Sequence, residues 1–159
     1  MKPKVAFIGT GGNIASLGAG PLDVQDYGAT DQRLHADEII ARFPELQAIA
    51  DIIPIRYRNV VSPGIGFEDW RALVLACDQA VADHPDLAGI VIGHGTASLE
   101  ETANALNLTA KVRVPIVIVG SQRPPSALSS DAGMNLEAAI RTAASPAARG
   151  MGVLVVLND

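Results

Sequence analysis

Residues 89–103 read GIVIGHGTASLEETA, and the order of residue types in that stretch decides the fold. Ile90, Val91 and Ile92 form an apolar run with no polar alternation, and Gly93, His94 and Gly95 then break it. Ser98 and Glu101 follow at the Ser-x-x-Glu spacing of a capping box, in front of a helical pattern. A strand that does not alternate is covered on both faces, which predicts a parallel sheet between two layers of helices. The same unit recurs along the chain. Apolar runs lie at 5–9, 52–57, 89–93, 115–120 and 152–157, and helical patterns at 36–43, 67–82, 98–108 and 130–144. In the second helical pattern Trp70, Leu73, Val74, Cys77 and Val81 make one apolar stripe, with Arg71, Asp78 and Gln79 off it. This alternation predicts an α/β fold of three layers, α/β/α, with a mostly parallel, doubly wound sheet and right-handed crossovers.

The 159 residues are one domain's worth of chain, so residues 1–159 read as a single domain. A balance of 12 basic against 17 acidic residues and 4% aromatic content leaves no material for a phosphate-tracking face or a base-stacking platform, which argues against nucleic acid as a partner. The apolar runs fall far short of the roughly 20 residues of a membrane span. The lone Cys77 forms no internal disulfide or Cys-based zinc site, and His35 and His84 have no partner at metal-ligand spacing. No metal or cofactor is expected. The apolar stretch at 5–8 is broken too early for a signal peptide, and the cytoplasm is the expected compartment. The run at 153–159 reads as a buried strand with no helix after it, which predicts further chain or a partner to cover it.

Ligands of open α/β sheets bind beyond the carboxyl ends of the strands, so the strand-to-helix turns carry the candidate chemistry. These are GTGGN at 9–13, VVSPG at 60–64, GHGTAS at 93–98 and GSQRP at 120–124. The first begins like a dinucleotide fingerprint and then fails, with Ile14 in the place of the third glycine and Gly18, Gly20 and Pro21 interrupting any helix. Gly11 and Gly12 then either make a plain turn or bring Thr10 and Asn13 close to a small ligand. In the third turn, Ser98 as cap makes Thr96 and Ala97 the last residues before a helix start. A hydroxyl there stands near free N–H groups that stabilise developing negative charge, and Gly95 permits close backbone approach. His94 is either hydrogen-bonded beneath the turn or catalytic. Arg123, before Pro124 and Pro125, either positions a ligand carboxylate or ties down its loop. Ser129, Ser130 and Asp131 read as a helix N-cap, Cys77 as packing, and the non-periodic segment 17–33 as a lid or binding loop.

VAFIGTGGNIA at 5–15, GIVIGHGTASLEETA at 89–103, GSQRPPSALSSDAGMN at 120–135 and GVLVVLND at 152–159 together resemble, in order and spacing, the bacterial-type L-asparaginase/glutaminase family. The resemblance covers essentially the whole chain. It implies that residues 1–159 are the N-terminal α/β domain of chains about twice as long, with the family's smaller C-terminal domain not represented. It also implies hydrolysis of the side-chain amide of L-asparagine, or a related amide, through an acyl-threonine intermediate without a cofactor. Further implications are a small-molecule amide as partner and a homo-oligomer in which a neighbour's second domain completes the site.

Residue by residue the match is incomplete. The family's nucleophilic threonine falls on Asn13, whose carboxamide cannot form a hydrolysable ester. The second catalytic threonine is kept as Thr96. The aspartate that holds the substrate's α-amino group is Ala97, and the threonine after it is Ser98. The activating lysine is expected near 145–146, where Ser145 and Pro146 stand. Tyr27 matches the mobile-loop tyrosine and Ser62 the carboxylate-binding serine, with Pro63 in place of a glutamine. The implied substrate set is Tyr27, Ser62, Gly95, Thr96 and Ala97. Three explanations stand: a divergent branch in which another acid such as Asp131 or Glu100 supplies the missing charge; an inactivating change at Asn13 that leaves a binding domain for an amino acid or small carboxylate; or catalysis by Thr96 alone.

Overall fold

The computed structural model describes residues 2–158. Strands and helices alternate as β1 (Lys4–Gly11), α1 (Ala36–Arg42), β2 (Asp51–Val60), α2 (Phe67–Asp83), β3 (Leu87–Gly93), α3 (Leu99–Thr109), β4 (Ile116–Val119), α4 (Ala132–Ala144) and β5 (Val153–Val156). All five expected strands and all four expected helices are present, with ends within a few residues. The strands pair in parallel in the order β2-β1-β3-β4-β5. No helix among the described residues is long and apolar enough to cross a membrane.

Successive strand residues point to opposite faces, so each apolar run feeds two cores. Val5, Phe7, Val91, Val117 and Val119 pack under α1 and α4, against Ile39, Leu136 and Ile140. Ala6, Ile8, Ile90, Ile92 and Ile118 pack under α2 and α3, against Leu73, Cys77 and Leu106. Cys77 is fully buried, and burial pushes its thiol up to about 12, so it packs as a small apolar residue. β5, at one edge of the sheet, is half-buried with Val155 exposed, where its apolar run read as a buried strand. β2, at the other edge, also differs from the three inner strands. Its burial alternates along its length, as befits an edge strand, and an edge is where the in-strand Pro54 is tolerated.

The right-handed expectation fails at one crossover. α2 and α3 carry the chain in one direction along the sheet on one face, and α1 carries it the other way on the opposite face, so these three connections share a hand. α4 steps in the same direction as α3 yet packs on the α1 face, so β4–α4–β5 has the opposite hand, which is rare. Two glycines permit it. A Cβ on Gly89 would overlap the Ala143 carbonyl, and one on Gly133 would stand 3.1 Å from the Phe43 ring, so α4 seats against β3 and the segment after α1 only where side chains are missing. The chain reaches that face over residues 120–131, which cross the carboxyl edge of the sheet.

Candidate active site

β1 and β3 are the strands between which the order of connection reverses, so their carboxyl ends form the switch point of the sheet. Three turns meet there backbone to backbone. Gly11 and Gly12 have φ of 109° and 80°, and the Gly12 amide donates to the Val60 carbonyl at 2.9 Å. A Cβ on Gly12 would overlap the Gly95 backbone, and one on Gly95 would stand 2.8 Å from the Ser62 side chain. The Ser98 hydroxyl donates to the Ser62 carbonyl at 2.6 Å, fastening the third turn to the second. Behind the second turn, burial pushes the Asp69 carboxyl up, but Arg58, the Tyr57 phenol and the Gly66 amide outweigh it and hold it below the ordinary range.

A cleft of about 220 Å³ opens over this junction, and Asn13, Tyr27, Arg33, Ser62, Thr96 and Ala97 line it. Five of the six expected site residues therefore stand in one cleft. Gly95, the sixth, is buried behind the wall, where its missing side chain lets the turns touch. Thr10 does not reach the ligand space: it is buried, and its hydroxyl donates to the Gly93 carbonyl at 2.9 Å. Asn13 turns its carboxamide N–H toward the Gln122 carbonyl at 3.4 Å, a long contact. Among the described residues the Thr96 and Ser62 hydroxyls donate no hydrogen bond.

Residues 17–33 cover the cleft as a self-supporting loop. Ser16 and Arg33 form an antiparallel bridge at its neck, and the Leu17 amide donates to the Gln32 carbonyl at 2.9 Å. The Thr30 hydroxyl donates to the Leu17 carbonyl at 2.6 Å, and the Gly18 amide donates to the Ser126 hydroxyl at 2.9 Å. The Ala19 amide, with those of Asp26 and Gln25, donates to the Asp23 carboxylate and holds that carboxyl below its ordinary range. Arg33 was not singled out by the sequence, where it marked the end of the loop and nothing more.

His94 is completely buried beneath the third turn. Its Nδ1 lies 2.8 Å from the Gly95 carbonyl, so Nδ1 carries the proton, and Nε2 accepts from the Thr102 hydroxyl at 2.9 Å. Thr102 in turn accepts from Trp70 Nε1 at 3.1 Å. Burial lowers the His94 pKa, which keeps the ring neutral and fixes this direction of donation. The chain Trp70–Thr102–His94–Gly95 thus braces the backbone that presents Thr96, and the structural reading of His94 holds over the catalytic one.

The family model described as "Asparaginase, N-terminal" matches residues 4–159. The chain belongs to the asparaginase family. It is 41% identical over 98% of its length to the glutaminase-asparaginase of Pseudomonas fluorescens biotype A, covering 42% of that protein. It is 39% identical over 99% of its length to L-asparaginase 2 of Bacillus subtilis strain 168, covering 41% of it. The solved probable cytoplasmic L-asparaginase of Campylobacter jejuni superposes with a TM-score of 0.89 at 34% identity, over 99% of this chain and 47% of that one. The chain therefore spans less than half the length of the relatives it matches.

Several local expectations for this asparaginase-family chain change. Ser98 makes no cap hydrogen bond: its side chain is turned toward the second turn, where it donates to the Ser62 carbonyl, and the capping box does not form. Asp131 is not a side-chain cap either. Its carboxylate accepts from the Gln122 and Arg123 amides at 2.9 Å and holds the crossing loop, and Arg123 donates to the Ser129 carbonyl at 3.0 Å within that loop. Neither Asp131 nor the exposed Glu100 lines the cleft, so neither supplies the charge that Ala97 lacks. The lysine position expected near 145–146 is also wrong. α4 starts at the cleft edge, where Asn135 donates to the Gly120 carbonyl, and ends beside Gly89 at the far edge of the sheet. Ser145 and Pro146 are thus remote from Thr96, and their identity has no bearing on its activation.

Proposed function

We propose that this chain forms the amino-terminal part of an asparaginase-type amidohydrolase site, which cleaves the side-chain amide of L-asparagine or a related small amide to the acid and ammonia. The observation that carries this reading is the convergence of Tyr27, Ser62 and Thr96 in one cleft at the sheet's switch point, in a chain of this family. With asparagine at position 13, Thr96 is the cleft threonine left to act as nucleophile. Its Oγ attacks the amide carbonyl carbon, the C–N bond breaks, and the hydroxyl proton leaves on the nitrogen as ammonia. Water then cleaves the acyl-threonine ester, releasing the acid and restoring the hydroxyl. On this reading the positive end of α3, which starts just beyond Ala97, stabilises the developing oxyanion. Tyr27 closes the cleft from the loop, and Ser62 offers a hydroxyl for a substrate carboxylate.

The protein works, on this proposal, as a cytoplasmic homo-oligomer in which a neighbouring subunit completes the site. The test is ammonia release from asparagine, glutamine and simple amides, with mass spectrometry of the peptide spanning residues 89–111 during turnover. An acyl adduct on that peptide is expected. Ammonia release without the adduct overturns Thr96 as nucleophile, and ligand binding with no ammonia from any amide favours the reading that Asn13 marks a binding domain.

A further inference from the structure

The cleft wall built by the described residues carries a single formal charge. Among the described residues that line it, Arg33 is the one cation, and no Asp or Glu is present. The Arg33 side chain is only 22% exposed, whereas Asp31, the carboxylate 2.7 Å from it, is 82% exposed and outside the lining. A counter-ion that deep in solvent contributes little and competes weakly with an enclosed ligand carboxylate. Arg33 is also held in place, bridged to Ser16 and followed by the Leu34 amide donating to the Ala15 carbonyl at 2.7 Å. The uncapped start of α3 adds further positive potential, since Ser98 turns its hydroxyl to Ser62 instead. At position 97 the wall presents an exposed methyl group. A ligand ammonium against this wall would meet a guanidinium of like charge and, among the described lining residues, no carboxylate.

We infer that the cleft selects an anionic amide without a charged α-amino group, such as the monoamide of a dicarboxylic acid, with its carboxylate paired to the Arg33 guanidinium. The amide as reacting group rests on the hydrolase reading above; the charge preference rests on the cleft wall. A planar guanidinium and a buried serine hydroxyl together suit the two oxygens of a carboxylate, and Ala97 leaves the carbon next to it in apolar contact.

The experiment uses the full-length protein and two ligand pairs that differ only in the α-ammonium: succinamate with asparagine, and glutaramate with glutamine. Titration calorimetry reads binding and ammonia release reads turnover. Each ligand lacking the ammonium is expected to bind about tenfold or more tightly than its amino counterpart. Arg33→Gln is expected to weaken the two anions and narrow the gap. Ala97→Asp, at an exposed position, is expected to reverse the preference, and it carries the test if Arg33→Gln fails to fold. Tighter binding of asparagine or glutamine, no binding of any of the four, or an unaltered preference in Ala97→Asp overturns the inference. Selective binding of the anions without ammonia release sustains it and removes the hydrolase reading instead.

Discussion

The two turns at the switch point, residues 9–15 and 93–99, are built from similar material and present opposite faces. Each has a glycine pressed against the other's backbone, Gly12 against Gly95. In the first turn the threonine faces inward, Thr10 donating to Gly93, and the side chain left at the cleft is the Asn13 carboxamide. In the third turn the inward group is His94, and the side chain left at the cleft is the Thr96 hydroxyl. The glycine contact fixes where positions 13 and 96 stand, and the side-chain identity at each then decides what chemistry that place can do.

The comparison is broken most severely by exchanging those two side chains. Thr96→Val removes the one threonine hydroxyl among the described cleft residues, and ammonia release is expected to fall by roughly a thousandfold or more. Asn13→Thr gives the first turn the group it lacks and is expected to raise ammonia release by orders of magnitude, on the order of a hundredfold or more. Rates measured side by side on the full-length protein decide the matter. An unchanged rate in Asn13→Thr would show that position 13 takes no part in the reaction.

The contact itself is the next target. Gly12 has φ 80° and ψ −168°, a conformation that side chains avoid, and an added Cβ would overlap Gly95. Gly12→Ala is expected to destabilise the fold by about 3 kcal/mol or more in denaturant unfolding, strain and overpacking acting together. A loss below about 1 kcal/mol would mean that the turns separate readily, and the fixed spacing of positions 13 and 96 would lose its support.

How much of this was legible in the sequence follows from which interactions are local. The strands, helices and layer order could be read because unbroken apolar runs and helical stripes each report burial along a single element. Thr96 and Ser62 could be placed because turns at strand ends of a parallel sheet face a common edge. The crossover through α4 could not, since its hand depends on Gly89 and Gly133 admitting a helix from a distant part of the chain. Arg33 was missed because its enclosure depends on a loop folding back to pair Ser16 with Arg33, and nothing in residues 17–33 alone predicts that bridge. Ser98 and Asp131 were misread for one reason: both have the composition of helix caps, and tertiary partners, the Ser62 carbonyl and the Gln122 and Arg123 amides, take up their side chains first.

A smaller effect tests the bracing that belongs to the third turn and not to the first. Thr102→Val leaves His94 Nε2 without its donor and Trp70 Nε1 without its acceptor while conserving shape. The expected loss is about 1–3 kcal/mol by denaturant unfolding, the cost of stranding buried polar groups. Ammonia release should fall more than asparagine or succinamate binding does, since Thr102 lies behind the turn and touches no ligand. Equal losses in both would show that the network merely supports the fold.

The last difference between the turns is one of titration. Residues 9–15 contain no ionisable side chain, whereas the third turn rests on His94, whose pKa burial holds below 6.5. In the unfolded chain the same ring titrates at about 6.5. As pH falls below that value the unfolded state takes up a proton that the folded state refuses, so the stability His94 contributes is complete above about pH 6.5 and is lost as pH falls toward its lower folded pKa. Protonation would also put a second N–H on the ring, facing the Thr102 oxygen that already accepts from Trp70, so Thr102 would have to turn its own proton away. The denaturation midpoint is expected to be lower at about pH 5.5 than at about pH 7.5. His94→Gln should flatten that slope, because the remaining histidines, His35 and His84, are present in both proteins and cancel from the difference. Parallel slopes would mean that His94 binds its proton equally in both states, and the third turn would then be no more sensitive to acid than the first.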